Sequence, residues 1–199
     1  MRIIDISREL LSAKVYPGDP VPKHSFVEKM ENGKDYNLSA LFCCSHAATH
    51  CDAPLHFIED GKTTEELDMK AFFGACTVLT LPRREVTGAD IDEIYPRGCR
   101  RILLRTNNVA KLTKSAAQVI ADNKPLLVGI DCASIGSGED NTAIHRILLG
   151  EGIAVLEGLD LYDAPDGLYF LCAAPIKIEG SEAAPVRAVL LQNAIYTET

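Results

Sequence analysis

The sequence predicts an α/β fold, a mixed β-sheet with surrounding helices, and three observations predict it. Eight short apolar, β-rich runs recur along the chain, only three segments carry clear helical periodicity, and strands and helices interleave only in the second half. Interleaving suits parallel pairing through helical crossovers, whereas a first half of strands and loops does not, so a mixed sheet fits better than a fully parallel one.

The strand candidates are residues 3–6, 38–44, 76–81, 102–104, 126–130, 153–156, 168–171 and 186–191. Helices are expected over 89–94, 115–123 and 142–149, the last stopped by Gly150 and Gly152. With 199 residues, 47% hydrophobic, the chain can bury a sizeable core, and no Pro/Ser-rich linker divides it, so one domain spanning 1–199 is expected. No internal repeat is visible.

Between His46 and Phe57 the chain reads H-A-A-T-H-C-D-A-P-L-H-F, which puts His46, His50, Asp52 and His56 within eleven residues. Neutral imidazole and carboxylate together suit a divalent ion such as zinc, manganese or iron, and a carboxylate can bridge two ions where a histidine cannot. Asp52 is therefore the natural bridge. All four positions share parity, yet at roughly 3.3 Å per residue an extended backbone would hold His46 and His50 about 13 Å apart. A bend must bring them together. Pro54 argues against a continuous helix, and Ala47, Ala48 and Ala53 leave room for close backbone approach, so the segment reads as a strand entering a compact ligand loop. His24, in the polar, Pro-rich stretch 20–25, reads as a solvated loop residue.

A second constellation is H-R-I-L-L-G-E-G-I-A-V-L-E-G-L, with His145 on the third helix and Glu157 at the end of a buried strand. A carboxylate there emerges at the sheet's carboxyl edge, where burial is expensive without a cation. Taken alone, His145 fits the commoner packing or surface role of a helical histidine and Glu157 an ion pair with an arginine; only the first cluster draws them towards a metal.

These landmarks, together with I-I-D-I-S near the start, Y-P-G-D at residues 16–19, V-G-I-D-C-A-S-I, and A-P-I-K-I-E-G-S-E-A-A-P-V-R near the end, resemble the metal-dependent cyclase-like hydrolases that include bacterial kynurenine formamidase and isatin hydrolase. The resemblance spans nearly the whole chain and implies a swivelling β/α/β architecture. It further implies a site for two divalent ions, with zinc the leading candidate for both and manganese the alternative. His46, His50 and Asp52 would hold one ion, Asp52 and His145 the other, and Glu157 would contact both. By the same resemblance His56 is the general acid/base, which suits a group that titrates near neutrality. The family usually has Gly where Ala48 stands. Its formamidases usually have Trp where this Trp-free chain has Tyr16, which either lines a pocket for a flat substrate or packs under the N-terminal loop. A homodimer or homotetramer is also implied by the resemblance alone.

The expected reaction is hydrolysis of an amide, as in N-formylkynurenine to kynurenine and formate in tryptophan catabolism, with metal-activated water. Hydrolysis of a cyclic, isatin-like amide, a cyclase or lactonase activity, and a non-catalytic metal-stabilised module are the alternatives. A small-molecule amide is the expected partner.

Other chemistries lack their signatures. There is no G-x-S-x-G elbow, and Gly136-Ser137-Gly138 lacks both the dinucleotide pattern and the P-loop lysine, so it reads as a turn. Net charge is −8 and the arginine pairs at 83–84 and 100–101 form no basic stripe, which opposes nucleic-acid binding and leaves those pairs as solvated faces. With no leader and no run near the roughly 18 apolar residues of a membrane span, the cytoplasm is expected. Seven cysteines without C-x-x-C spacing read as reduced core thiols; Cys51 lies between two proposed ligands, but its opposite parity points it away. Asp131 fits either support for the site or a cap, and Arg187 either a fork for a substrate carboxylate or a structural ion pair.

Overall fold

Apolar runs condense into strands close to where the sequence places them. The computed structural model describes residues 1–81 and 85–193; Arg83 and Arg84 lie outside the described residues. The strands are β1 (Arg2–Asp5), β2 (Lys23–Glu28), β3 (Leu38–Phe42), β4 (His50–Asp52), β5 (Phe73–Thr80), β6 (Glu85–Val86), β7 (Arg101–Arg105), β8 (Lys111–Leu112), β9 (Leu127–Ile130), β10 (Ala154–Glu157), β11 (Gly167–Cys172), β12 (Ala183–Pro185) and β13 (Val189–Gln192). The helices are α1 (Gly88–Ile94), α2 (Lys114–Asp122) and α3 (Asn141–Gly150), within a residue or so of expectation.

Nine strands form one sheet in the order β1-β13-β11-β5-β7-β9-β10-β4-β12. Its centre is parallel, β5 to β7 to β9 to β10, because each step between those strands carries a helix to cross over with. Both flanks are antiparallel. The mixed sheet is thus the expected one. Past β1 the chain bridges Ser7 to Leu159, just after β10, and Asp160 N–H donates to the Ile6 carbonyl at 2.9 Å, so the sheet curls over one core.

That first core holds Ile4, Ile6, Cys51, Phe72, Val78, Leu103, Leu127, Leu156 and Leu190. The other face carries the helices over Ile102, Leu104, Val128, Ile130 and Val155. Thr87 and Thr113 start α1 and α2 by accepting backbone N–H bonds from Asp90 and Ala116.

Several expectations are corrected. Among the described residues, 38–44 do not join the main sheet; β3 pairs there with β2 alone, in a two-stranded ribbon whose residues are almost all exposed. His24 is solvated as expected but sits on β2, not in a loop. Arg101 is not a solvated face residue: it is buried, and its guanidinium donates to the carbonyls of Ala71 at 3.0 Å and Ala75 at 3.2 Å, in space that only glycine at position 74 leaves open. Of the seven cysteines, Cys51 and Cys76 are fully buried, the other five half-buried. Run 186–191 is strand only from Val189, and the short edge strand β12 precedes it, where Pro185 is tolerated because an edge leaves N–H positions unpaired.

Candidate metal centre

The bend demanded by the histidine spacing lies at residues 45–49. Ala48 takes φ 57°, the left-handed region that glycine adopts most readily, so an alanine here carries backbone strain that a glycine would not. Gly158 faces it, also left-handed at φ 65°; a Cβ on Gly158 would stand 2.1 Å from the Ala48 carbonyl oxygen. Thr49 fastens the two segments, its hydroxyl donating to the Gly158 carbonyl at 2.6 Å and accepting from Arg8 N–H at 2.8 Å.

Past the bend, β4 pairs with β10 so that His50 lies opposite Glu157 and Asp52 opposite Val155. His50, Asp52 and Glu157 therefore share the helix-covered face, while Cys51 points into the first core and donates to the Asp52 carbonyl. From above, α3 presents His145, whose Nδ1 donates to the Asn141 carbonyl at 2.8 Å and whose Nε2 lies 3.1 Å from Glu157 Oε1. Two groups of ligand-type atoms result, His46 with His50 and Asp52, and Asp52 with His145 and Glu157, each within 4.8 Å of one another. Asp52 belongs to both.

The cluster is buried and short of partners. Among the described residues, His50 Nε2 and both carboxylate oxygens of Asp52 have no hydrogen bond of good geometry, although Asp52 Oδ1 lies 3.0 Å from His46 Nδ1 and 3.4 Å from His50 Nε2. Unpaired buried groups of this kind cost several kcal/mol unless something neutralises them. Burial alone would push the His50 imidazole down, yet Asp52 and Glu157 hold it up at about 10. Burial likewise opposes ionisation of Asp52 and Glu157; the neighbouring imidazoles nevertheless hold Asp52 below the usual carboxylate range, and His145 and His50 do the same for Glu157 against the repulsion of Asp52. Two buried carboxylates thus demand positive charge, which protons on histidine meet without a cation and which divalent metal, suited to imidazole and carboxylate, meets better.

A cavity of about 250 Å³ opens over the cluster, lined by Tyr16, Asp19, His46, His50, His56, Phe57, Ala133, Ser134, Asn141, His145 and Glu157. His56 sits on the single 3₁₀ turn Pro54–His56 that follows β4, its ring centroid 4.2 Å from that of His46. Burial holds its imidazole below the ordinary value, with His46 and His145 adding to the effect against Asp52. Tyr16 lines the cavity rather than packing beneath the N-terminal loop.

Four neighbours escape a reading of spacing. Phe57 stacks on the His145 ring at 4.4 Å; Ser134 and the Ile135 N–H donate to Glu157 Oε1 at 3.4 and 2.7 Å; and Glu182 accepts from Ser45 at 2.6 Å beside His46. The E-G-S-E segment carried the only hint of Glu182. Two residues prove structural. Asp131 accepts from the backbone N–H groups of Thr106 and Asn107, each at 2.9 Å, capping the turn after β7, and Arg187 pairs with Asp5 away from the cavity lining.

Among the described residues no helix is long and apolar enough to cross a membrane. The family model described as "Putative cyclase" matches residues 4–137. A kynurenine formamidase of Sphingopyxis alaskensis is 34% identical over 97% of this chain and 99% of its own length, and one of Bacillus mycoides 30% identical over 94% and 96%. Among solved structures, a predicted metal-dependent hydrolase from Bacillus stearothermophilus superposes with TM-score 0.82 at 30% identity, covering 95% of this chain and 97% of that one. Isatin hydrolase A of Labrenzia aggregata shares the fold, at TM-score 0.81 and 21% identity over 95% and 93%. With its sheet, its ligand-rich bend and near full-length similarity to such relatives, the chain belongs to the cyclase family of metal-dependent hydrolases.

Proposed function

We propose that this chain is a metal-dependent amidohydrolase that cleaves N-formylkynurenine to kynurenine and formate. The observation that carries the reading is the convergence of His46, His50, Asp52, His145 and Glu157 into two groups sharing Asp52 beneath one open cavity. In this reading His46, His50 and Asp52 would hold one ion, Asp52 and His145 a second, with Glu157 available to both; zinc is the first candidate and manganese the next. Held there, divalent metal supplies Lewis-acid polarisation of a carbonyl and an acidified water.

The protein's own groups do the rest. His56, neutral at pH 7 because burial lowers its affinity for protons, takes a proton from the attacking water and returns it to the amide nitrogen as the carbon–nitrogen bond breaks. The water oxygen stays with the formyl carbon, which leaves as formate. Tyr16 and Phe57 offer ring faces to the aryl group, and Asn141 a polar side chain beside the reacting amide.

Formate release from N-formylkynurenine by protein reloaded with zinc or manganese tests the reading. Ring opening of isatin with no formate release would replace it by a cyclic-amide hydrolase, and the absence of any metal uptake would remove the mechanism.

The assembly belongs to the same proposal. On and between β2 and β3, Phe26, Val27, Met30, Tyr36, Leu38, Leu41 and Phe42 are each 47–59% exposed. Exposed apolar side chains gathered in this way are the mark of a surface that another protein covers. A second copy of this chain is the proposed cover.

A further inference from the structure

The three histidines of the cluster are not held alike. His50 Nδ1 lies 3.1 Å from the Ala48 carbonyl and His145 Nδ1 lies 2.8 Å from the Asn141 carbonyl. A carbonyl only accepts, so both rings keep a proton on Nδ1, and Nε2 is the nitrogen that each turns into the cluster. His46 is reversed. Its Nδ1 faces inward, 3.0 Å from Asp52 Oδ1, and its Nε2 faces outward, 3.3 Å from Glu182 Oε1.

Glu182 is placed there by the sheet. It immediately precedes β12, whose Ala183 lies opposite Asp52 on β4, and its carbonyl accepts from Ala53 N–H at 2.8 Å. Its Oε1 is fixed by the Ser45 hydroxyl at 2.6 Å, from the residue adjoining His46. A carboxylate on the outer nitrogen fixes an imidazole's tautomer and strengthens the inner nitrogen as a metal donor.

We propose that Glu182 is a positioning residue: by accepting the Nε2 proton of His46 it selects the tautomer whose Nδ1 is free for the first metal. This rests on the two-metal reading above. It also assigns distinct weights to the ligands, because His50 and His145 keep their tautomers through backbone carbonyls that no side-chain substitution removes.

The test uses the full chain, stripped of metal, as wild type, Glu182→Gln and Glu182→Ala. Zinc affinity is measured for each by competition with a chromogenic chelator, and the His46 tautomer in the zinc-loaded protein by long-range proton–nitrogen NMR. Glu182→Ala is expected to weaken one of two zinc sites by about 10- to 100-fold, the range for loss of an outer carboxylate. Glu182→Gln, whose amide oxygen still accepts from Nε2, should recover most of that loss. NMR should report the Nε2 proton in wild type and Glu182→Gln and a mixed population in Glu182→Ala, with thermal unfolding of the metal-free proteins unchanged. Wild-type zinc affinity in Glu182→Ala, or an Nδ1 proton on wild-type His46, would overturn the assignment; so would a shifted pH–rate profile without any change in zinc binding, which would place Glu182 behind His56 instead. Failure of the wild type to take up zinc is a different result and counts against the two-metal reading itself.

Discussion

The buried cluster around Asp52 and the exposed ribbon of β2 and β3 invert the ordinary distribution of residues in opposite senses. One places carboxylates and imidazoles at 0–2% exposure for Asp52, His50 and His145; the other places Phe26, Tyr36, Leu41 and Phe42 at 50–57% exposure. Each inversion is costly for the chain alone, and each names what relieves it. Buried charge calls for a counter-charge small enough to enter, and exposed apolar surface calls for another apolar surface. Under the proposed function the same kind of anomaly is relieved by a cation in one region and by a second copy of the chain in the other.

The largest effect is expected where the counter-charge is anchored twice. Asp52→Asn removes the carboxylate common to both groups, so it should abolish the rise in melting temperature that zinc gives the wild type. Activity should fall further than the roughly 10²- to 10⁴-fold that a single acid/base group contributes. Calorimetric titration with zinc and formate release together check this. Retention of two ions by the variant would break the cluster side of the comparison.

His56 should separate chemistry from binding. His56→Asn is expected to lower activity by about 10²- to 10⁴-fold while metal content stays at the wild-type level. The pH profile sharpens the point. Burial holds the His56 imidazole below 6.5, so the neutral base predominates at pH 7, and kcat/KM should decline only as the solution is acidified through that lowered value. His56→Asn should lose that acid limb. An acid limb that survives would assign it to the metal ligands.

These residues also mark how much was legible in the sequence. Four groups within eleven residues declare a site without any coordinates, because side chains of that cost are seldom crowded by accident, and parity separated Cys51 from them. His145 and Glu157 were visible only in company with that cluster and with the family resemblance, since one helical histidine and one strand-end glutamate are common. Glu182, Ser134 and Phe57 were hidden because their contacts depend on the β12–β4 register, on the turn after β9 and on the approach of α3. The ribbon was hidden for the opposite reason: a strand exposed on both faces has no period-two alternation, so Lys23–Glu28 looks like a loop and Leu38–Phe42 like core.

The ribbon itself gives the next prediction. Phe26 and Leu41 lie on one face of it, since Phe26 pairs with Ser39 and His24 with Leu41. Charges there, as in Phe26→Asp with Leu41→Asp, should leave the fold and the zinc sites intact and convert the assembly to monomer in light scattering. Apolar contacts of this kind contribute about 25 cal/mol per Å² of buried area, so losing two large side chains at a symmetric interface weakens association by several kcal/mol. A wild type that is already monomeric at micromolar concentration would remove the second copy as the cover.

The smallest effect is expected at a site with neither inversion. Arg187 forms an ion pair with Asp5 on the surface, with 78% of the arginine side chain and 43% of the aspartate still exposed. Partial burial slightly opposes ionisation of Asp5, but Arg187 and Ser7 outweigh it and hold the carboxyl below 3.8. Since the folded value is the lower one, whatever stability the pair contributes is present above pH 3.8 and fades as pH falls through the depressed value. Water and salt screen the pair, and ordering two long side chains offsets most of the attraction. Arg187→Ala should therefore leave the denaturation midpoint nearly unchanged at pH 7, with the remaining difference from wild type vanishing in acid and in high salt. A large loss of stability at pH 7 would mean that exposure is a poor guide to energetic weight here, and the contrast between cluster and ribbon would need another basis.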